Sequence, residues 1–411
     1  MNVNLDYLQL QRNEMPFSHI AKSIYKISEI TREQDEFTGV NNPLLFNHKC
    51  YGLLKKQKNR ISSYNTTRKW DKYKKYLNDF ELVFTTSNGY PNISQYTPIS
   101  RSFFKLWEIL HDFINELPSS ILDNTSNLKT CSVAEGPGGF IEALVKYRRD
   151  LGTPCTNDKY FGMTLFPYNK SVPQWKFSSD FIKLNNITLS YGKDGSGSLY
   201  NMDNIDYLTS LIGQGTCDLV TGDGGFDYSY DFNEQEEATL PLLMCESLAA
   251  LSVQKKGGSF ILKIFDISTP KMFQLLFLLY NAYDSVYITK PFSSRPANSE
   301  KYLVCCGYKA VQKYVDLLRS AIALKKTILE VPITFHKEIV YYNTHYTIYQ
   351  TITIMQTLDF IDDCEAGQLN TKIAPKLKSQ IECALRWCHK YKLNVNIASI
   401  SQYKNILKDL L

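Results

Sequence analysis

Residues 131–149 read CSVAEGPGGFIEALVKYRR, a short apolar run, an acidic residue, a turn with three glycines and one proline, and then a helical stretch. A strand that feeds a helix through bare backbone opens a βαβ unit, and the segments that follow repeat the alternation. Strand-like YFGMTL (160–165) and ITLSYG (187–192) lead to helical NIDYLTSLI (204–212) and strand-like CDLVTGD (217–223). A helical segment from about 234 to 254 then precedes GGSFILKIF (257–265), helical PKMFQLLFLLYNAY (270–283), SVYITKP (285–291) and EKYLVCCGY (300–308). The strands are apolar enough to be buried on both faces. That predicts an α/β fold with an open, mostly parallel sheet, helices on both faces, and a ligand site beyond the carboxyl ends of the strands.

Upstream, Thr97-Pro98 reads as an N-cap followed by Pro at the first helical position, with Phe103, Leu106, Trp107, Leu110, Phe113, Ile114 and Leu117 at helical spacing. Arg101, Lys105, Glu108 and Asp112 share the other face, which is expected to meet solvent unless a site uses Lys105. Residues 96–310 therefore form one α/β block, 1–95 an N-terminal extension, and 311–411 a C-terminal subdomain. The last carries amphipathic helices near 310–326 and 374–392, with a β-branched, Tyr-rich stretch between them.

With 44% hydrophobic and 21% charged residues the chain has the balance of a folded globular protein. The start lacks a secretory pattern and the longest apolar run, FQLLFLLY, is far short of the roughly 18 residues of a membrane span, so an intracellular, cytoplasmic protein with no membrane partner is expected. Ten cysteines contain no C-x-x-C pair, and Cys383, Cys388 and His389 fit no common zinc spacing, so no metal site is expected and the thiols read as reduced. The net charge of +5 is mild. Its distribution is more informative, because residues 54–76 interleave Lys and Arg with Tyr64, Trp70, Tyr73 and Tyr76. That mixture suits phosphates and stacked bases; the competing reading is a solvated helix face whose aromatics turn into the core.

The turn Glu135-Gly136-Pro137-Gly138-Gly139-Phe140 lets a ligand approach the backbone closely. Ile141 stands where a dinucleotide fingerprint needs its third glycine, which disfavours a dehydrogenase, and the Gly-Lys-Ser/Thr of a P-loop is missing. A nucleotide-like ligand without a pyrophosphate fits better, with S-adenosyl-L-methionine the leading candidate; a plain tight connection is the bland alternative. Asp223, Lys263 and Glu300 lie at strand ends and Lys105 on the preceding helix, so four charges gather at one sheet edge. Surface ion pairs are the competing explanation.

The segments SRSFFKLWEIL, VAEGPGGF, FGMTL, DGSG, DGGF, GGSFILKIFD and KPFSSRPANSEKYLV occur in the order found in a known family. Residues 96–310 resemble the FtsJ/RrmJ-like S-adenosylmethionine-dependent RNA 2′-O-methyltransferases, and most closely the cap-specific mRNA members, including homologues from large cytoplasmic DNA viruses. The resemblance implies a Rossmann-like methyltransferase fold. It implies a catalytic tetrad of Lys105, Asp223, Lys263 and Glu300. The implied cofactor contacts are Ala134, Glu135, Gly136, Pro137, Gly138, Gly139, Phe140, Thr164, Leu165, Ser198 and Asp223. Asn233, Gln235 and Asn298 fall where cap-specific members touch RNA, and Arg295 is expected near them. Ser198 departs from the family, which commonly has Asp there; a serine accepts a hydrogen bond without bringing charge.

On this reading a capped RNA is the substrate, other capping or transcription proteins are partners, and Lys263 touches the ribose 2′-oxygen as base or as steering cation. The Lys263 balance is open in sequence, since Lys105 lowers its pKa while Asp223 and Glu300 raise it. With 28 tyrosines and 22 phenylalanines, no aromatic can be singled out for a cap-guanine pocket. The alternatives are 2′-O-methylation of ribosomal or other structured RNA, and a non-catalytic RNA-binding subunit that keeps the fold.

Overall fold

The computed structural model describes residues 24–27, 48–65, 68–85, 90–122, 127–152, 157–168, 172–225, 233–325 and 328–410. Its centre is an eight-stranded sheet: β1 (Ile24–Lys26), β2 (Lys129–Val133), β3 (Lys159–Met163), β4 (Ile187–Ser190), β5 (Cys217–Gly222), β6 (Gln254–Ile264), β7 (Tyr283–Thr289) and β8 (Lys301–Tyr308). The order across the sheet is β1-β7-β8-β6-β5-β2-β3-β4. Strands β4, β3, β2, β5 and β6 are parallel neighbours. β8 runs antiparallel between β6 and β7, and β1 antiparallel to β7. The chain winds outward from β2 through β3 to β4, then returns to the other side at β5. The β2/β5 boundary is therefore the switch point, where an open α/β sheet leaves a crevice.

The helices are α1 (His48–Asn65), α2 (Lys69–Tyr73), α3 (Ser102–Asp112), α4 (Ser119–Leu122), α5 (Gly139–Asp150), α6 (Ser179–Leu184), α7 (Met202–Ile212), α8 (Gln235–Val253), α9 (Pro270–Ala282), α10 (Gln312–Leu324), α11 (Ile333–Asp363), α12 (Leu369–Lys390) and α13 (Ile397–Leu410). One face of the sheet is covered by α7, α8, α9 and α10 with the start of α11, through Leu208, Leu248, Phe273, Leu318 and Phe335. The other is covered by α3, α5, α12 and α13, through Trp107, Leu144, Trp387 and Tyr403. A third cluster joins α1 and α2 to the far half of α11 through Leu54, Ile61, Trp70, Tyr73, Ile354 and Leu358. No helix among the described residues is long and apolar enough to cross a membrane.

One local expectation changes, and one stretch left open by the sequence is defined. Helix α3 begins at Ser102 rather than after Thr97-Pro98, and ends at Asp112. Nor is its polar face left to solvent: Arg101, Lys105 and Asp112 are half-buried, and Glu108 is fully enclosed and accepts the backbone N–H groups of Phe292 (2.7 Å) and Ser293 (2.6 Å). The β-branched, Tyr-rich stretch is a 31-residue helix, α11. Threonine hydroxyls there back-bond to carbonyls one turn earlier, as with Thr351 to Thr347 (2.7 Å) and Thr357 to Thr353 (2.7 Å). Burial against two clusters outweighs the weak helix propensity of these residues.

Candidate active site

The crevice at the switch point opens into a cavity of about 1070 Å³. Asp223 follows the end of β5, Lys263 lies one residue before the end of β6, and Glu300 directly precedes β8. Because β8 is antiparallel to β6, its start lies at the edge where β6 ends. Lys105 arrives from α3. The four side chains implied by the family resemblance thus converge: Lys105 Nζ is 2.8 Å from Glu300 Oε2, and Lys263 Nζ is 3.3 Å from Asp223 Oδ1. Lys263 Nζ also donates to the Asp223 carbonyl at 2.6 Å. Asp223, Lys263 and Glu300 line the cavity, while Lys105 joins them through Glu300.

Local sequence explains this placement. On α3, Arg101, Lys105 and Glu108 are separated by four and three residues and so share one helical face. Arg101 donates to the Ser293 carbonyl (2.9 Å from Nη2) and Glu108 takes the two N–H groups at 292 and 293, so the face grips the loop that carries Glu300. From inside that loop Lys290 Nζ donates to Ser294 Oγ (3.1 Å), Asn298 O (2.9 Å) and Glu300 O (2.7 Å). Tyr302, beside Lys263 in the sheet, donates its hydroxyl to Asp223 Oδ1 at 3.0 Å.

The electrostatics follow from burial and charge. Burial pulls the Lys263 ammonium down, but Asp223, Glu300 and Glu246 outweigh it and hold its pKa above the ordinary value. Burial pushes Glu300 up, yet Lys105, Lys263 and Lys290 bring it down to about 2. Glu246, buried on α8, is pushed up to about 8 by burial, only partly offset by Lys263, and accepts the Gly224 N–H at 3.0 Å. Burial drives Lys290 well below its usual range.

At the glycine turn, Ala134, Gly136 and Pro137 line the cavity, with Thr164, Leu165 and Ser198 across it. Glu135 is buried behind the turn, where its carboxylate accepts the N–H groups of Phe140 and Ile141 and so caps α5. Gly138, Gly139 and Phe140 are absent from the cavity lining, and packing accounts for both glycines. Gly138 has φ +116° and a Cβ there would strike the Phe177 ring; a Cβ on Gly139 would strike the hydroxyls of Ser100 and Ser102.

Gln235 and Asn298 also line the cavity; Gln235 accepts the Ser299 hydroxyl at 2.8 Å. Asn233 lies outside it and donates to Asn59 of α1 at 2.7 Å. Arg295 does not reach the cavity: its guanidinium is committed to Glu81, Nε at 2.9 Å and Nη2 at 2.8 Å, because that buried carboxylate needs a bidentate partner. In the 54–76 segment, Trp70 and Tyr73 are buried in the third cluster, and Trp70 also lines the cavity. Its Lys58, Ile61, Asp71 and Lys74 nevertheless form one wall of the cavity, with Gln350 and Ile354 of α11.

Sequence reasoning missed Lys290, Tyr302, Glu108 and Glu246. A lone glutamate within the apolar run LLMCESLAAL was a readable signal for Glu246. The contacts of Tyr302 and Glu108 cross between distant segments, and those of Lys290 close a loop with no periodicity of its own, so none leaves a local mark.

The fold and this edge define a Rossmann-like methyltransferase. The chain belongs to the FtsJ-like methyltransferase family, whose model matches residues 98–308. A cap-specific mRNA (nucleoside-2'-O-)-methyltransferase 1 of Trypanosoma cruzi (strain CL Brener) is 40% identical over 177 residues, 43% of this chain and 47% of that protein. A methyltransferase of the same description from Danio rerio is 38% identical over 196 residues, 44% of this chain and 22% of that protein. An inactive cap-specific mRNA (nucleoside-2'-O-)-methyltransferase 1B of Caenorhabditis briggsae is 35% identical over 189 residues, 43% of this chain and 20% of that protein. The chain thus spans less than half the length of each of these relatives.

Proposed function

We propose that this chain is a cap-specific mRNA 2′-O-methyltransferase that uses S-adenosyl-L-methionine, acts inside the cell, and methylates the ribose of a cap-proximal nucleotide. The convergence of Lys105, Asp223, Lys263 and Glu300 beside the glycine turn carries the reading. Likeness alone does not, since one similar relative bears the name inactive.

The cavity suits this cofactor. It offers bare backbone at Ala134 and Gly136, the Thr164 and Ser198 side chains, the apolar Leu165, Leu199 and Leu242, and the Asp223 carboxylate for a cationic group. When bound, the cofactor supplies an activated methyl group on a sulfonium. The protein's own task is to align a ribose hydroxyl with it and manage one proton. Near-attack alignment contributes about 7–11 kcal/mol in favourable cases. In its neutral form Lys263 accepts the 2′-hydroxyl proton as the oxygen takes up the methyl group, and Asp223 and Glu300 stabilise the ammonium so formed. Lys105 and Lys263 keep Glu300 ionised, and Glu300 and Asp223 hold Lys263 in position.

The test is methyl transfer to matched capped and uncapped short RNAs, with nuclease digestion to find the modified sugar. Label on the ribose of capped RNA alone is the expected result. Label on uncapped or structured RNA would move the assignment to another 2′-O-methylation, and absence of cofactor binding would leave an RNA-binding subunit.

A further inference from the structure

A second cavity of about 570 Å³ adjoins the tetrad cleft, bordered by Arg68, Lys72, Lys75, Tyr76, Tyr90 and Gln380. Asp71 lines both cavities, so the two are neighbours along one surface. The carboxylates of the second are already answered. Glu81 is clasped by Arg295 and lies 3.3 Å from Arg101, and Asp71 pairs with Lys74 at 2.5 Å. Among the described residues, the ion pairs at 4 Å or closer include none formed by Arg68, Lys72 or Lys75. Lys72 donates to the Tyr73 hydroxyl at 3.2 Å, which leaves Arg68 and Lys75 as the open cations of a hollow whose acids are engaged. Lys75 is half-buried, and burial together with nearby Arg295 lowers its pKa against the opposing pull of Glu81.

The hollow is also built firmly. The Gln380 amide donates to Lys75 O at 2.7 Å and Asn78 O at 2.8 Å, which fixes the turn that carries Lys75. The Tyr76 and Tyr90 rings stand edge to face with centroids 6.1 Å apart, their hydroxyls 3.2 Å from each other. Unanswered cations beside half-buried rings suit a phosphate with an attached base, and an acidic peptide would make less use of the rings.

We propose that this cavity is a second RNA subsite, holding a phosphate and base of a nucleotide other than the one whose ribose meets the tetrad. The proposal rests on the reading of RNA as substrate. Its occupant is either the 5′-terminal nucleotide across the cap polyphosphate or a nucleotide on the 3′ side; both present the same chemistry.

The test uses the full chain, with Lys75→Gln, Arg68→Gln and the conservative Lys75→Arg, each checked by thermal melting. Binding of a capped dinucleotide and of a capped RNA of about a dozen nucleotides is followed by fluorescence anisotropy across a salt series, alongside methyl transfer and cofactor affinity. Lys75→Gln and Arg68→Gln are expected to raise the RNA Kd and KM roughly five-fold or more and to flatten the salt dependence by about 0.7 per lost phosphate contact. Turnover and cofactor affinity should stay within two-fold, and Lys75→Arg should restore binding. Loss with the dinucleotide assigns the 5′ end; loss with the longer RNA alone assigns the 3′ side. Unchanged affinity and salt slope for both RNAs overturns the subsite. Because binding is read directly, that result is distinct from a failure of methyl transfer, which would count against the proposed activity instead.

Discussion

The Lys58 ammonium meets the Asp266 carboxylate at 2.7 Å, although the two lie 208 positions apart in sequence, and both side chains are almost wholly buried. Lys58 comes from α1 and Asp266 from just beyond β6, so the pair ties a wall of the cavity to the central sheet. Lys58→Met leaves a buried carboxylate without its nearest cation and is expected to cost roughly 3–5 kcal/mol. Adding Asp266→Asn should recover much of that loss. Urea unfolding of the two variants checks it; equal destabilisation would show that the charge pair is not the source.

Lys263→Ala is expected to reduce methyl transfer at least 100-fold, in the range typical of lost acid–base or oxyanion groups, with cofactor affinity nearly unchanged. Single-turnover transfer and calorimetry read the two quantities separately. Near-normal transfer by a folded variant would remove Lys263 from the reaction.

The carboxylates around Lys263 also set a pH response. If the neutral amine accepts the proton, the rate climbs as pH rises toward the elevated Lys263 pKa. Glu300→Gln removes one raising charge, so the ascending limb should move to lower pH, at a reduced maximum rate. A limb that stays in place, measured with saturating substrates, would leave Lys263 the role of a cation only.

Glu246 should make the protein less stable as pH rises. Its folded pKa of about 8 lies above the ordinary 4.5, so between those values the native state keeps a proton that the unfolded chain releases. Stability then falls by about 1.4 kcal/mol per pH unit across that window. Glu300 acts in the opposite direction: lowered to about 2, it contributes stability above about 4.5 that is lost as pH falls toward 2. Glu246→Gln can still accept the Gly224 N–H and should flatten the pH 5–8 slope of denaturant midpoints; an unchanged slope would reject this assignment.

Gly139→Ala should destabilise through a clash with Ser100 and Ser102, by about 1–3 kcal/mol. Replacing both serines by glycine in the same chain should relieve it. Thermal melts decide the point, and loss of cofactor affinity at unchanged stability would instead make Gly139 a ligand contact.

The alternating segments between 129 and 308 could be read from sequence because each strand and helix there carries its own periodicity and its own turn. The tetrad was legible for a related reason: single charges ending apolar strands stand out, and the motif order carried them as a set. The partner of Arg295 was not legible because nothing nearby in sequence announces that Glu81, more than two hundred residues earlier, will claim its guanidinium. The ring at 73 packs into the core against α11, whereas the ring at 70 is both buried there and part of the cavity wall.

Local patterns along the chain were sufficient for the class of fold, the strand-to-helix glycine turn and the identities of the four charged residues, since those depend on hydrophobic period and on chemistry at neighbouring positions. Folding settled which charges face a cavity and which are consumed by partners, that α3 grips the loop bearing Glu300, and that α1 and α11 close one side of the crevice. These outcomes depend on burial and on contacts between residues far apart in sequence, where the cost of an unpaired buried charge, rather than any local propensity, selects the partner.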